Sequence, residues 1–511
     1  MNPFDPLSIL STIAQGPDNR YESGQRWTSR RSTVPGFVRD ARFDADKATR
    51  EEIVRKSRYF ERNSYIVQRL CSLFEQYTVG PKGLKIVPNS SDKDWNAAAK
   101  VYWENSQQFI NLTSQTRFER QQSLIARALF VDGECFLIKT RGRSRDGGQS
   151  FPRIQLVESH RVSTPPELLD NPMVIDGIEL DERGRPVHYW IRESANSGVF
   201  AMMDAKWQKH KASGIIHVQD PSRISMFRGL PYLYAVLNDL HDLDDLQMLE
   251  MDAAKEAASK TLVIKTKTGE LNRDNLRAKR LTVGGSAGTS GGSAQERTQY
   301  YDEAFRAKAV VMRSGDEYEQ HVSNRPTVAT QWFFEWQEAK VCYGAGISHL
   351  LAFPRSIQGT VARGTYECDN TFFLTNSGII ADAMREVWLY MMDWGTKNVR
   401  ELSDPPVDWK EITIRPPRSV VVDLGRDFKA MIDSYKAGFI SLDEICGPRG
   451  EDWRDVIDAR AEERRYVRDK EKEFNLQEGE LLGVVMEALK KAEPKQPAVV
   501  PVVKKEKVES E

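Results

Sequence analysis

From residue 51 onward the apolar positions follow two rhythms, one helical and one alternating, and the switches between them outline the chain. Ile53, Tyr59, Tyr65, Ile66, Leu70, Leu73 and Phe74 recur near the helical period and predict one helix, closed by Gly80 and Pro81. A strand is predicted at 84–87, then helices over about 92–109 and 117–130. The last feeds FVDGECFLIKT, read as β with a turn at Asp132 and Gly133. Between 151 and 230 the alternating rhythm takes over. RIQLVES, VIDGIELDERGRPVHYWIRE and GIIHVQD set β-branched residues against polar ones, and Glu182, Arg183 and Gly184 predict a tight hairpin turn.

The helical rhythm returns after Arg228 and Gly229. Pro231 stands where a first-turn proline belongs, and Leu233, Val236, Leu237, Leu240, Leu243 and Leu246 step by threes and fours. A helix over 231–260 would be about 45 Å long. Its polar face is acidic: Asp239, Asp242, Asp244, Asp245, Glu250, Asp252 and Glu256 stand against Lys255 and Lys260. A strand at 261–267, a basic patch of Arg273, Arg277, Lys279 and Arg280, the Gly/Ser loop VGGSAGTSGGSA and strands at 309–312 and 317–322 follow. A second helix over about 328–346, with Thr327 as N-cap, carries Trp332, Phe333, Trp336 and Val341. The chain thus runs out along one helix, builds a small β unit and returns along another.

PRSIQGTVARG (354–364) reads as a loop before a long helix over about 366–399, rich in Phe372, Phe373, Ile379, Ile380, Met384, Val387, Trp388 and Met391. The prolines at 405, 406, 416 and 417 mark a boundary with short strands, ITI and SVVV. Helices are expected at about 424–437, 441–446 and 453–474, the last charged almost all round. Residues 17–50 read as an Arg-rich arm, and the Lys, Glu, Pro and Val of the far C-terminal tail as disordered.

Composition bounds the function. A length of 511 residues suggests about three domains. Lys and Arg number 73 against 74 Asp and Glu, a net charge of −1, which argues against a protein that coats nucleic acid over its whole surface. Balanced charge gives little self-repulsion and suits a subunit that packs against copies of itself. No apolar run approaches the ~18–20 residues of a membrane span, and MNPFDPLSILSTIAQG lacks the basic start of a secretory signal. The five cysteines make no CxxC pair and are read as buried free thiols. There is no GxxxxGK[ST], HExxH or GxSxG, and the seven histidines are scattered. No catalytic residue, metal site or cofactor is predicted.

What remains is an order of segments. IQLVESHRV, then IDGIELDERGRPVHYWI (175–191), GIIHVQD, FRGLPYL and the acid-rich helix, followed by GISHLLAFPRSIQGTVARGTYECDN, resemble the lambda-type portal proteins of tailed bacteriophages, over about residues 20–475. Two departures stand out: ISMFRGLP replaces the usual Gly-Gln pair before the Arg-Gly-x-Pro element, and GTVARG replaces the commoner asparagine-tyrosine-serine form of the loop. Arg363 is the position that best matches the family arginine.

The resemblance implies an α+β portal fold. It would comprise an N-terminal arm (1–50), a mixed α/β wing (51–230), a stem helix (231–260), a small β-containing clip (261–326) and a second stem helix (327–353). A tunnel loop (354–364), a long helix and wing return (365–420), a helical crown-like region (421–475) and a tail (476–511) would complete it. The family implies a ring of twelve copies at one capsid vertex through which double-stranded DNA enters and leaves, powered by a separate terminase. Its partners would be terminase, major capsid protein and head-tail connector, with no membrane; its place would be the virion, and the host cytoplasm during assembly. On this mapping Arg355, Gln358, Thr360 and Arg363 are the tunnel-loop residues that would touch DNA. Asp239, Asp242, Asp244 and Asp245 would contribute channel electrostatics, and Arg273, Arg277, Lys279 and Arg280 would dock the terminase. Two other classes stay open: a head-completion or scaffold oligomer without a channel, and a metal-dependent nuclease built on the acids at 239–252.

Overall fold

A computed structural model describes residues 40–41, 45–112, 116–143, 150–193, 206–258, 262–266, 309–313, 328–354, 359–421, 424–447, 453–474 and 476. In chain order the elements are α1 (Lys47–Asn63), α2 (Tyr65–Thr78), β1 (Lys85–Pro88), α3 (Lys93–Gln107), α4 (Phe118–Asp132), β2 (Glu134–Arg143) and β3 (Ser150–Glu158). They continue with β4 (Val174–Ile175), β5 (Ile178–Leu180), β6 (Pro186–Arg192), β7 (Trp207–Lys211), β8 (Ile215–Gln219), α5 (Leu237–Ala258), β9 (Leu262–Thr266) and β10 (Ala309–Arg313). The last are α6 (Val328–Gly344), α7 (His349–Ala352), α8 (Gly359–Asn398), β11 (Ile412–Arg415), α9 (Leu424–Lys436), α10 (Leu442–Cys446) and α11 (Trp453–Glu473). The chain divides into two compact units: Met1–Leu73 with Phe109–Gln115 and Leu124–Pro354, and Phe74–Gln108 with Thr116–Ser123 and Arg355–Glu511.

The first unit holds most of the β structure. β2 is the central strand of an antiparallel sheet of order β3-β2-β8, and β4-β5-β6-β7 form an antiparallel meander. Their apolar positions meet in one core: Phe136, Ile138 and Val157 from the first sheet pack with Ile178, Leu180, Tyr189 and Ile191 from the second, joined by Val162 and Ile215. The expected hairpin turn forms. Gly184 has φ +78°, and the Asp181 carboxylate accepts the Arg183 and Arg185 amides at 2.9 and 2.7 Å. β9 and β10 pair in parallel, Leu262 opposite Ala309. The strand expected at 317–322 lies outside the described residues.

The second unit is built on α8, whose 40 residues make about 60 Å of helix. Phe373, Ile380, Met384, Val387, Trp388 and Met391 are buried on one face at three- and four-residue steps. Trp388 and Trp95 flank Trp409 at ring-centroid distances of 6.0 and 6.4 Å, and β1 pairs antiparallel with β11.

Several expected boundaries shift. The helix read through residue 79 is two helices, because Ser64 leaves the helical region (φ −99°, ψ 124°) and is buried between them. The helix expected from Pro231 begins at Leu237. Residues 231–236 are turns, with the Tyr232 amide donating to the Phe130 carbonyl (3.0 Å) and its ring stacked on Phe130 at 5.8 Å. A tertiary partner has taken the amide that a helix would have left free. The loop expected over 354–364 is helical from Gly359 onward, the first turns of α8. SVVV forms no strand over 419–421; the Val420 amide donates instead to the Asn370 side chain at 2.8 Å. Cys71, Cys135, Cys342 and Cys446 are buried thiols, but Cys368 is exposed on α8. Of the large aromatic residues that the sequence places on these helices, Trp388 is core, whereas Trp332, Phe333 and Trp336 are exposed. No helix among the described residues is long and apolar enough to cross a membrane.

Candidate functional site

The acid-rich helix α5 and its return partner α6 pack together within the first unit. Leu237, Leu240 and Leu243 of α5 and Val341 and Cys342 of α6 are buried. Asp239 and Lys340 join the two helices at 2.5 Å. The close approach at their base needs a glycine: a Cβ on Gly344 would lie 2.1 Å from Cγ1 of Val236. The Tyr65 hydroxyl donates to the buried Glu338 carboxylate of α6 (3.0 Å) and accepts from Gln247 of α5 (3.3 Å), which ties the pair to α2.

The acids of α5 do not form one site. Asn238, Asp242, Asp245 and Asp252 stand on the side of the helix opposite Leu240 and Leu243, and all four are exposed. Asp245 faces His241 at 3.2 Å and Asp252 faces Lys255 at 3.1 Å. Asp244 is half-buried, and burial pushes its carboxyl above the usual range; the neighbouring Asp245 adds to this and His241 opposes it. Asp239 differs from the others, its charge answered across the pair by Lys340. Among the described residues no group of three or more His, Cys, Asp or Glu is placed to hold a metal ion.

The chain entering α5 is rooted in a buried ion cluster that pattern reading of the sequence did not single out. Arg228 is fully enclosed. It donates through Nε and Nη2 to Glu134 at 2.8 and 2.6 Å, to the Ser159 and Val162 carbonyls at 3.0 and 3.1 Å, and to the Asp176 carbonyl. Glu134 also accepts hydrogen bonds from the Gly229 amide (3.0 Å), the Ser159 hydroxyl (2.6 Å) and His217 Nε2–H (3.0 Å). Arg50 of α1 completes the set, donating to Asp176 at 2.6 Å and to the Ser159 hydroxyl at 2.9 Å. Two arginines balance two carboxylates if His217 is neutral, and its surroundings favour that: burial depresses its pKa against the pull of Glu134. Burial by itself would raise the Glu134 carboxyl, but Arg228 and His217 hold it well below the usual carboxylate range. Phe136 covers the cluster, stacked on His217 at 4.3 Å with Arg228 5.5 Å from its ring centre.

Backbone contact completes the root. Gly133 has φ +84°, and a Cβ there would lie 2.2 Å from the Leu230 carbonyl carbon; one on Gly229 would lie 2.1 Å from the Gly133 oxygen. The short segments DGE and RGLP therefore touch main chain to main chain. One sequence signal was available: Glu134 and His217 are polar residues inside the apolar strands ECFLI and IIHVQ, and a charge so placed must find a partner.

The other expected site residues are dispersed. Arg363 is exposed on the first turns of α8, and Thr360 lies in the same turns. Both belong to the second unit, whereas the four aspartates belong to the first. Arg355, Gln358, Arg273, Arg277, Lys279 and Arg280 lie outside the described residues.

Three antiparallel sheets, a packed pair of helices and a parallel strand pair make this a mixed α/β protein. Residues 35–353 match the sequence model of the family described as phage portal protein, lambda family, and the chain belongs to that family. The match falls inside the stretch of about 20–475 that the motifs suggested. A probable portal protein of Halomonas phage phiHAP-1 is 25% identical over 222 residues, 41% of this chain. The matched region spans 42% of that relative's length. Among solved structures, a chain from the virion of the native gene transfer agent particle is 11% identical with a TM-score of 0.42, over 78% of this chain and 92% of that one. A chain from the neck of the same native particle, computed with C12 symmetry, is 12% identical with a TM-score of 0.42, over 77% and 92%.

Proposed function

We propose that this chain is the ring-forming subunit of a portal at one capsid vertex of the virion, and that double-stranded DNA passes through the ring during packaging and ejection. The observation that carries the reading, beyond family membership, is the exposed acidic side of α5, turned away from the helix that packs against it. Each phosphate neutralised by Lys or Arg releases counterions and tightens binding, so a basic bore would hold DNA in place. An acidic wall repels the backbone and lets the duplex slide. Asp242 and Asp245 are the residues best placed for this; Asp244 is half-buried on another side of the helix, and Asp239 contributes less, because Lys340 answers its charge.

The chain would be a passive conduit. A separate terminase would supply ATP hydrolysis, docking on the basic patch at Arg273, Arg277, Lys279 and Arg280, which falls between β9 and β10 in the sequence. The head-tail connector would later take its place, the major capsid protein would hold the ring from outside, and assembly would occur in the host cytoplasm. Arg363 and Arg355 would meet phosphates at the narrowest point and resist backward slippage.

Imaging of purified protein tests the reading. Rings with a central hole wide enough for a duplex are expected; monomers under every assembly condition, or assemblies with no hole, overturn it. In a packaging assay, rings carrying Asp242→Lys, Asp244→Lys and Asp245→Lys should translocate DNA more slowly, and unchanged rates would remove these acids from the mechanism. Magnesium-dependent DNA cleavage by the pure protein would favour the nuclease class instead.

A further inference from the structure

The two helices of the pair turn chemically different sides outward. On α6, Trp332, Trp336 and Tyr343 follow one another at i, i+4 and i+11, within about 40° of a single line along the helix. They lie opposite Glu338, Val341 and Cys342, the buried side that packs on this protomer. Their exposures are 65%, 49% and 66%, and Phe333 extends the patch, its ring 6.1 Å from that of Trp336. Four large aromatic residues held in water on one helix mark a surface built to be covered.

The same helix pair carries a second apolar patch of a different kind. Met248, 64% exposed, lies on a flank of α5 between its acidic and its packed sides, and Met251, one turn further on and 57% exposed, continues the line of Leu240 beyond the buried stretch. The Asp239–Lys340 bond sets the antiparallel register of the helices. Eight residues onward from Asp239 and eight back from Lys340 bring Gln247 level with Trp332, so Met248 and Trp332 stand within about 2 Å of the same height.

We infer that the aromatic stripe of α6 seats on Met248 and Met251 of α5 in a neighbouring copy of this chain, which rests on the ring reading above. A closed ring needs two unlike patches that meet head to tail, and both halves of such a contact are present on this hairpin at matching height. Methionine is suited to the receiving role, because its flexible thioether fills the gaps between rigid rings and contacts their edges favourably. The acids cannot be the buried half. Asp242 and Asp245 would have to give up hydration against an aromatic surface that offers them no charge. The aromatic stripe therefore closes the contact between copies, and the acidic stripe stays wet.

Paired cysteines test the contact in intact assemblies. With exposed Cys368 changed to Ser, the double variant Trp332→Cys with Met248→Cys is oxidised by diamide and run without reductant. The expected result is a ladder of covalent multimers ending at the full ring, with neither single variant giving more than background. Rings that form normally but show no ladder overturn the contact and leave the ring reading standing; the stripe then belongs to another partner. Cross-linking by Trp332→Cys alone also overturns it, since like would then meet like. If the parent protein forms no rings at all, the ring reading falls and this inference falls with it. As a second measure, Trp332→Asp with Trp336→Asp should abolish rings while leaving far-UV circular dichroism and the thermal midpoint of the subunit unchanged. Rings that persist in that variant count against the proposal.

Discussion

Replacing Glu134 with Gln is the most searching perturbation of this fold. The side chain keeps its shape, and its amide oxygen can still accept the Gly229 amide, but one of the two carboxylates that balance Arg50 and Arg228 is gone. Glu134 and Arg228 are 0% and 5% exposed, so solvent cannot take over the lost interaction. Removing one member of such a pair leaves a buried charge unanswered and costs about 3–5 kcal/mol. At roughly 2 °C or more per kcal/mol for a large domain, the midpoint of thermal unfolding should fall by at least about 6 °C. The pH dependence gives an independent check. The folded-state pKa of Glu134 is depressed, so its contribution is complete above the ordinary glutamate pKa and is lost as pH falls towards the folded value. His217 acts in the same direction, since a depressed histidine pKa makes stability rise with pH up to its ordinary value and then level off. Wild type and Glu134→Gln should therefore differ most at neutral pH and converge in acid. Urea unfolding followed by tryptophan fluorescence from pH 3 to 8 measures both. A variant within about 1 kcal/mol of wild type at pH 7 would refute the claim that this cluster holds the root of α5.

Three further outcomes follow from the same geometry. Gly133→Ala should destabilise by well over about 1 kcal/mol, because its φ is positive and its Cβ would enter the Leu230 main chain; loss of soluble folded protein, or a clear drop in urea midpoint, checks this. Asp239→Asn should cost no more than about 1 kcal/mol in the same assay, since the Lys340 pair is partly exposed and solvent screens it. Ser441→Ala should cost about 1 kcal/mol by breaking the reciprocal capping of α10 with Glu444, and the same change with Glu444→Ala should add little more, as the two hydrogen bonds form one box.

Much of the architecture was legible because it is set by local rules. The alternating pattern of 151–230 became the meander β4-β5-β6-β7 and the two strands that flank β2, because a period of two assigns each residue to one face whatever the partner strand. The hairpin at Gly184, the strands β9 and β10 and the long helix α8 were likewise announced by turn residues and periodicity, whereas the parallel pairing of β9 with β10 was not. The errors share a cause. Residues 231–236 carry a good helical pattern, yet the Phe130 carbonyl takes the Tyr232 amide and the main chain around Gly133 pins Gly229 and Leu230 just before them. Residues 359–364 contain two glycines and read as loop, yet they extend a helix already nucleated by the apolar face that follows.

The sequence by itself determined the elements, the acidic character of α5, the aromatic character of α6 and, through the order of its motifs, the family. Only the tertiary structure decided that Arg228, Glu134, Asp176, Arg50 and His217 are one object. They are spread over nearly 180 positions of chain, and no period links residues from a helix, two strands and two turns. It also decided which aspartate is already answered and which side of each helix is left outward. Periodicity reports that a helix has faces; which face meets a neighbour depends on where a second helix lies, and that is a property of packing.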